Sequence, residues 1–196
     1  MIDQHALVNL VAAFHDNDSA AQKSQDLTLH LLQHTTAPFS RSQFTPGHIT
    51  TTGFVLNLAS DAVLLIHHRR LDRWLLPGGH VEPEDESIQA SARREVIEET
   101  GVQLIDDPEP PLIGIDVHAI PPNKREPLHY HHDLVFLFRA ASLELAQDAS
   151  EVREARWFSL TDLQNPAFPL PDNIRQILRH RLKPVPQVRH TKQVQA

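Results

Sequence analysis

The chain has 196 residues, a net charge of −7 and no cysteine. The missing cysteine excludes disulfides, thiolate zinc sites and a cysteine nucleophile, and it fits a reducing cytoplasm. The acidic balance argues against gripping large nucleic acid by charge, while 40% apolar residues can build the core of one domain with extensions.

The first stretch, "MIDQHALVNLVAAFHDND", carries no Lys or Arg and does not read as a signal peptide. No apolar run is long enough for a membrane span, so no membrane partner is expected. Leu7, Leu10, Val11 and Phe14 repeat at helix spacing, and Leu27 and Leu31 predict a second short helix ending near "TAPFS". Residues 1–45 are therefore an N-terminal helical extension. Two short helices cannot bury such stripes alone, so the stripes are expected to cover the following domain or a second copy of the chain. A homodimer stays open.

Then the texture changes. "ITTTGFVLN" (49–57) and "AVLLIHH" (62–68), joined by "LASD", predict a hairpin. "PGGHVEPED" is punctuated by Pro and Gly and cannot be helical, but "SIQASARREVIEET" is a helix with Gly101 as its stop. Strands follow near 112–120, 131–140 and 154–160, with a loop at "PPNKREP". A last helix is expected over 172–182, and 183–196 is a Pro-containing, polar tail expected to fray.

The central helix poses a physical problem. On a wheel of about 100° per residue, Glu95 and Glu99 fall within about 20° of Ile88, and Glu98 about 80° away. The three carboxylates thus sit on or beside the apolar stripe, spaced so that they repel one another. Burying them unpaired would be very costly. A divalent cation resolves both difficulties, and several oxygens on one helix face suit Mg²⁺, with Mn²⁺ as a substitute. Gly78 and Gly79, just before the helix, let backbone approach a metal or phosphate closely. The chemistry implied is attack of water on phosphorus, assisted by the cation.

These residues resemble the Nudix box, whose pattern is Gly, five residues, Glu, seven residues, then Arg-Glu-apolar-any-Glu-Glu-any-Gly-apolar. Here Glu86 is followed by seven residues and then "REVIEETGV", Arg94 to Val102. One departure is visible: Gly79 and Glu86 enclose six residues, so either Glu86 or Asp85 fills the first acidic place. The hairpin, "RWLLPGGH" and the late "ARWFSL" extend the resemblance over roughly 47–165. It implies an α/β/α sandwich around a mixed sheet, spanning residues 46–182. It also implies a hydrolase acting on a nucleoside diphosphate linked to another group. Metal ligands would be Glu95, Glu98, Glu99 and the Gly79 carbonyl. Glu95 and Glu98 would serve catalysis, with Arg94 orienting the glutamates. In some members a later loop supplies the general base, which leaves Glu126, Glu151 and Glu154 open.

Other groups divide more evenly. Arg69, Arg70 and Arg73 lie just before the box and either receive a phosphate, with Gly78 and Glu86, or are surface charges. "HYHHD" (129–133) looks like a metal cluster, but alternation sends His131 and His132 to opposite faces, so an ordinary strand start is expected. Trp74 and Trp157 are expected in the core. The rival reading is a non-catalytic Nudix-fold nucleotide sensor, which typically loses box glutamates that this chain keeps. An isopentenyl diphosphate isomerase-like enzyme would need a cysteine. The substrate, taken to be a small phosphorylated nucleotide-type molecule, is not specified by 103–120.

Overall fold

In the computed structural model, which describes residues 2–147 and 150–180, two helices precede the sheet: α1 (Gln4–Ala12) and α2 (Ser19–His34). Asp3 and Asp18 cap their N-termini by accepting backbone N–H bonds, as short acidic caps do. The second helix is longer than its apolar spacing predicted, and Leu27 faces solvent while Leu31 is buried.

The sheet is built around β1 (His48–Leu56), which is buried on both faces except at Thr52. Its neighbours in the chain are β2 (Ala62–His68), β3 (Arg73–Leu75) and β4 (Gly78–His80). After α3 (Ile88–Thr100) come β5 (Leu112–Ile120), β6 (His129–Arg139), β7 (Val152–Ser159), α4 (Leu160–Leu163) and α5 (Asp172–His180). The order along the sheet is β3-β2-β1-β6-β5, with β4 on β1 and β7 on β2. The pairing of β1 with β6 is parallel, whereas β5 and β6 run antiparallel, so the sheet is mixed. Flanking helices complete an α/β sandwich.

Two expectations need correction. The predicted hairpin pairs only at its root, Leu56 with Val63. Beyond it the strands diverge, because β2 pairs with β7 and the vacated edge of β1 is taken by β4. The segment read as a loop around Gly78 and Gly79 is therefore partly a strand, made by ladder bonds to β1 rather than by its own propensity. The expected helix over 172–182 is described as far as His180, and the tail 183–196 lies outside the described residues.

Alternation divides the core in two. Ile49 and Val55 of β1 join Ala92 and Val96 of α3, together with Leu7, Val11, Leu31 and Leu32 of the first helices. Phe54 and Leu56 face the other way, toward Ile174, Ile177 and Leu178 of α5. The N-terminal helices thus cover this chain's own sheet. Polar contacts fix them there: Thr28 Oγ1 meets His132 Nδ1 at 3.1 Å, and Ser24 Oγ accepts from the Val117 N–H at 3.2 Å. Trp74 packs edge-on against Phe158 and is half-buried, as is Trp157.

Candidate active site

The helix α3 starts where Ser87 accepts the Ala90 N–H and ends at Gly101, whose φ of +66° suits glycine. Between these caps it lays Ile88, Ala92 and Val96 on the sheet, and the same face carries Glu99, which is only 5% exposed. Glu99 Oε2 accepts the Gly78 N–H at 2.8 Å. A methyl group at Gly79 would lie 2.8 Å from the Glu95 carboxylate, and one at Gly78 would collide with the Thr51 carbonyl. Glycine at position 78 is a steric requirement of bringing β4 against the β1 backbone, whereas at Gly79 the crowding atoms are the movable end of the Glu95 side chain.

Arg94 ties the group together. Its guanidinium donates to Asp85 (2.9 and 3.1 Å), Glu95 (3.0 Å), Glu98 (2.9 Å) and the His80 carbonyl (2.9 Å). Asp85 is buried and also accepts the Glu82 N–H at 2.8 Å, whereas Glu86 is exposed. Of the two candidates for the first acidic place, Asp85 is the one in contact with the arginine. The extra loop residue falls after it.

Electrostatics follow from burial. Burial pushes the Glu99 carboxyl up to about 8, with the nearby Glu95, Glu151 and Glu98 adding to the rise and the Gly78 N–H opposing it. Burial also raises Glu95, against the pull of Arg94. Asp85 is pulled up by burial, but its bonds to Arg94 and the Glu82 N–H outweigh this and hold it low. Arg94 itself is raised, first by its bond to Asp85.

Such a set of hard oxygen donors, too crowded and buried to be comfortable together as anions, fits Mg²⁺ or Mn²⁺. The three glutamates do not yet converge on one point. Among the described residues, the only three potential ligands whose donor atoms all lie within 4.8 Å of one another are His48, His80 and His131. Arg94 holds an oxygen each of Glu95 and Glu98, and Glu98 is largely exposed.

The outlying candidates are distributed around this group. Glu151 acts on both Glu95 and Glu99, and its carbonyl accepts the Arg69 N–H at 2.9 Å. Glu154 is engaged by Arg156, and Glu126 by Arg41 and Asn123. Arg69, Arg70 and Arg73 are exposed where β2 turns into β3.

On the opposite face of the sheet, alternation does separate His131 from His132, which bonds Thr28. Yet His131 is no ordinary strand start, because the register sets it beside His48 of β1, and His80 is opposite Thr50. Burial lowers His80 to about 4 and His131 to about 2. These three residues are far apart in sequence, and only the pairing of β1 with β4 and β6 gathers them. Spacing two apart of His129 and His131 was the one local signal.

A family profile described as NUDIX domain matches residues 47–180. The chain belongs to the Nudix family. Among its relatives, the uncharacterised Nudix hydrolase YvcI of Bacillus subtilis is 34% identical over 107 residues, 54% of this chain and 63% of that protein. The rat diphosphoinositol polyphosphate phosphohydrolase 2 is 54% identical over 44 residues, 22% of this chain and 24% of that enzyme. The chain thus matches less than two thirds of the length of these curated relatives. A Nudix-family hydrolase from Clostridium perfringens of known structure is 25% identical, with a TM-score of 0.49 over 67% of this chain and 94% of that one. No helix among the described residues is long and apolar enough to cross a membrane.

Proposed function

We propose that this Nudix protein hydrolyses a phosphoanhydride bond in a nucleoside diphosphate linked to a further group. Mg²⁺, or Mn²⁺ in its place, would be held by Glu95, Glu98, Glu99 and the Gly79 carbonyl. The observation that carries the reading is the burial of Glu99 against Gly78 and the partial burial of Glu95 beside Gly79, with Arg94 as the counter-charge of Glu95. When bound, the cation neutralises phosphoryl charge and acidifies a water.

The chain's own groups do the rest. Arg94 fixes Glu95 and Glu98 in orientation while anchoring the β4 backbone through the His80 carbonyl. A ligand role requires Glu99 as the carboxylate, so cation uptake near neutral pH releases its proton. Of the three later acids, Glu151 is the one whose charge acts on both Glu95 and Glu99, and it would serve as general base. The exposed Arg69, Arg70 and Arg73 would meet the distal phosphate. A small phosphorylated nucleotide and a cytoplasmic location go with this reading.

The test is a nucleotide panel incubated with the full chain and Mg²⁺ or Mn²⁺ in ¹⁸O-water. Label on a phosphate-containing product is expected. Label found only on a released alcohol or sugar overturns the bond assignment. Tight binding of one nucleotide with no turnover across the panel would favour the sensor.

A further inference from the structure

Three strands bring imidazoles to one point on the face of the sheet turned away from α3. His48 stands on β1 directly beside His131 of β6, and His80 of β4 pairs with Thr50, two residues along β1 and on the same face. The ring centroids of His48 and His131 are 4.8 Å apart, those of His48 and His80 5.2 Å, and those of His80 and His131 5.1 Å. One nitrogen from each lies within 4.8 Å of the other two.

The state of His48 points to what belongs between them. This ring is 1% exposed, and its Nδ1 lies 3.1 Å from the Gln43 carbonyl. A carbonyl can only accept, so Nδ1 carries the proton and Nε2 presents a lone pair. That Nε2 is buried and has no hydrogen-bond partner. A buried acceptor left without a donor is costly, and a cation satisfies it. A ring held through one nitrogen by a backbone oxygen, with the other nitrogen aimed inward, is the usual arrangement of a metal-ligating histidine. The surroundings are fastened similarly: His129 Nδ1 sits 2.8 Å from the Pro127 carbonyl, and His118 Nδ1 2.9 Å from Asp116 Oδ2.

We infer that His48, His80 and His131 form a metal site, separate from the glutamates, for a borderline cation of the Zn²⁺ class. Three neutral imidazoles are a donor set that Zn²⁺, Co²⁺ or Ni²⁺ accepts readily and Mg²⁺ does not. Tetrahedral Zn²⁺ would draw the nitrogens closer than they now stand and leave one coordination position open. The ion would lie on the far side of β4 from Glu95, joined to that group through the His80 carbonyl that Arg94 holds.

The test uses the tag-free full chain, stripped with chelator and titrated with Zn²⁺ in excess Mg²⁺. One tight equivalent is expected in the wild type and in Glu98→Gln, with affinity at least 100-fold weaker in His80→Asn and in His131→Asn. Co²⁺ in the same protein should give the intense visible bands of a four-coordinate ion, absent from both histidine variants. Zn²⁺ should raise the melting temperature of the wild type and not of these variants. Failure to take up Zn²⁺, or uptake that the histidine changes leave intact, overturns the assignment. Should the variants not fold, wild-type crystals grown with Zn²⁺ decide by anomalous scattering. A peak among the three rings upholds the site, and a peak only elsewhere sinks it.

Discussion

Gly79 and His80 are neighbours on β4 and face opposite sides of the sheet. On the glycine side the groups are carboxylates, and their repulsion is handled by an arginine that touches Asp85, Glu95 and Glu98 at once. On the histidine side no counter-charge is needed, because burial keeps His80 and His131 neutral at physiological pH. The first solution leaves Glu99 holding a proton that a metal can displace. The second leaves lone pairs on nitrogen. The contrast teaches that one three-residue strand can separate a hard-ligand group from a softer one by nothing more than alternation.

The sharpest way to test this division is to neutralise the acid side. Glu98→Gln and Glu95→Gln should each lower turnover on a confirmed substrate by about 10³-fold while circular dichroism stays unchanged. Wild-type rates in both would place the chemistry elsewhere, and the histidine side would become the next candidate. Glu151→Gln should cost about 10²-fold, with the loss concentrated in kcat rather than KM. An unaltered kcat would show that Glu151 merely biases its neighbours.

Removing the counter-charge should act on stability as well. Arg94→Ala strands the buried Asp85, and we expect a loss of about 2 kcal/mol, read as a lower urea midpoint. An unchanged midpoint would mean that the acids relax without their arginine.

The smallest effect is a pH dependence, and its sign differs between the two sides. Glu99 titrates near 8 when folded but near its ordinary value when unfolded, so the native state binds the extra proton in between. Metal-free stability from this group is therefore highest at low pH and falls as pH rises toward 8. His80 and His132, lowered to about 4, work oppositely: stability rises with pH between about 4 and 6.5. Above that range Glu99 dominates, helped by His118, which Asp116 raises although burial opposes it. Metal-free wild type should lose melting temperature between pH 6.5 and 8.5, and Glu99→Gln should flatten the slope and melt about 5 °C higher at the alkaline end. Parallel curves for the two proteins would refute the raised carboxyl.

Legibility tracked the range of the interactions concerned. The strands at 62–68 and 112–120 and the helix ended by Gly101 carry their signals locally, in β-branched runs, periodicity and a left-handed cap. The position of Glu95 and Glu99 beside the apolar stripe was likewise a matter of one helix. β4 was not legible, since "GGH" has no strand character until β1 supplies the ladder. Nor was the role of Asp85, which depends on how the lengthened loop folds back onto Arg94. The histidine group was hidden for a related reason: alternation along β6 gave the correct face for His131 but could not say which strands would lie beside it.

The parallel pairing of β1 with β6 also bears on how the chain comes together in time. Its register runs from His48 with His131 to Leu56 with Arg139, so 83 residues separate every pair of partners. A nascent chain that has completed β1, β2 and α3 still lacks the strand that seals one long edge of β1. Until Arg139 has emerged, that edge of β1 stays open, and Phe54 on its other face waits longer still, for α5. Late closure of a non-local strand pair slows folding and favours association between unfinished chains. The histidine face cannot form before that closure, because β6 carries His131 and, two residues on and facing the same way, Asp133, whose carboxylate accepts from the hydroxyls of Thr50 and Thr52 beside it. Synthesis rate and the completion of that face thus meet at a single late event, the docking of one strand.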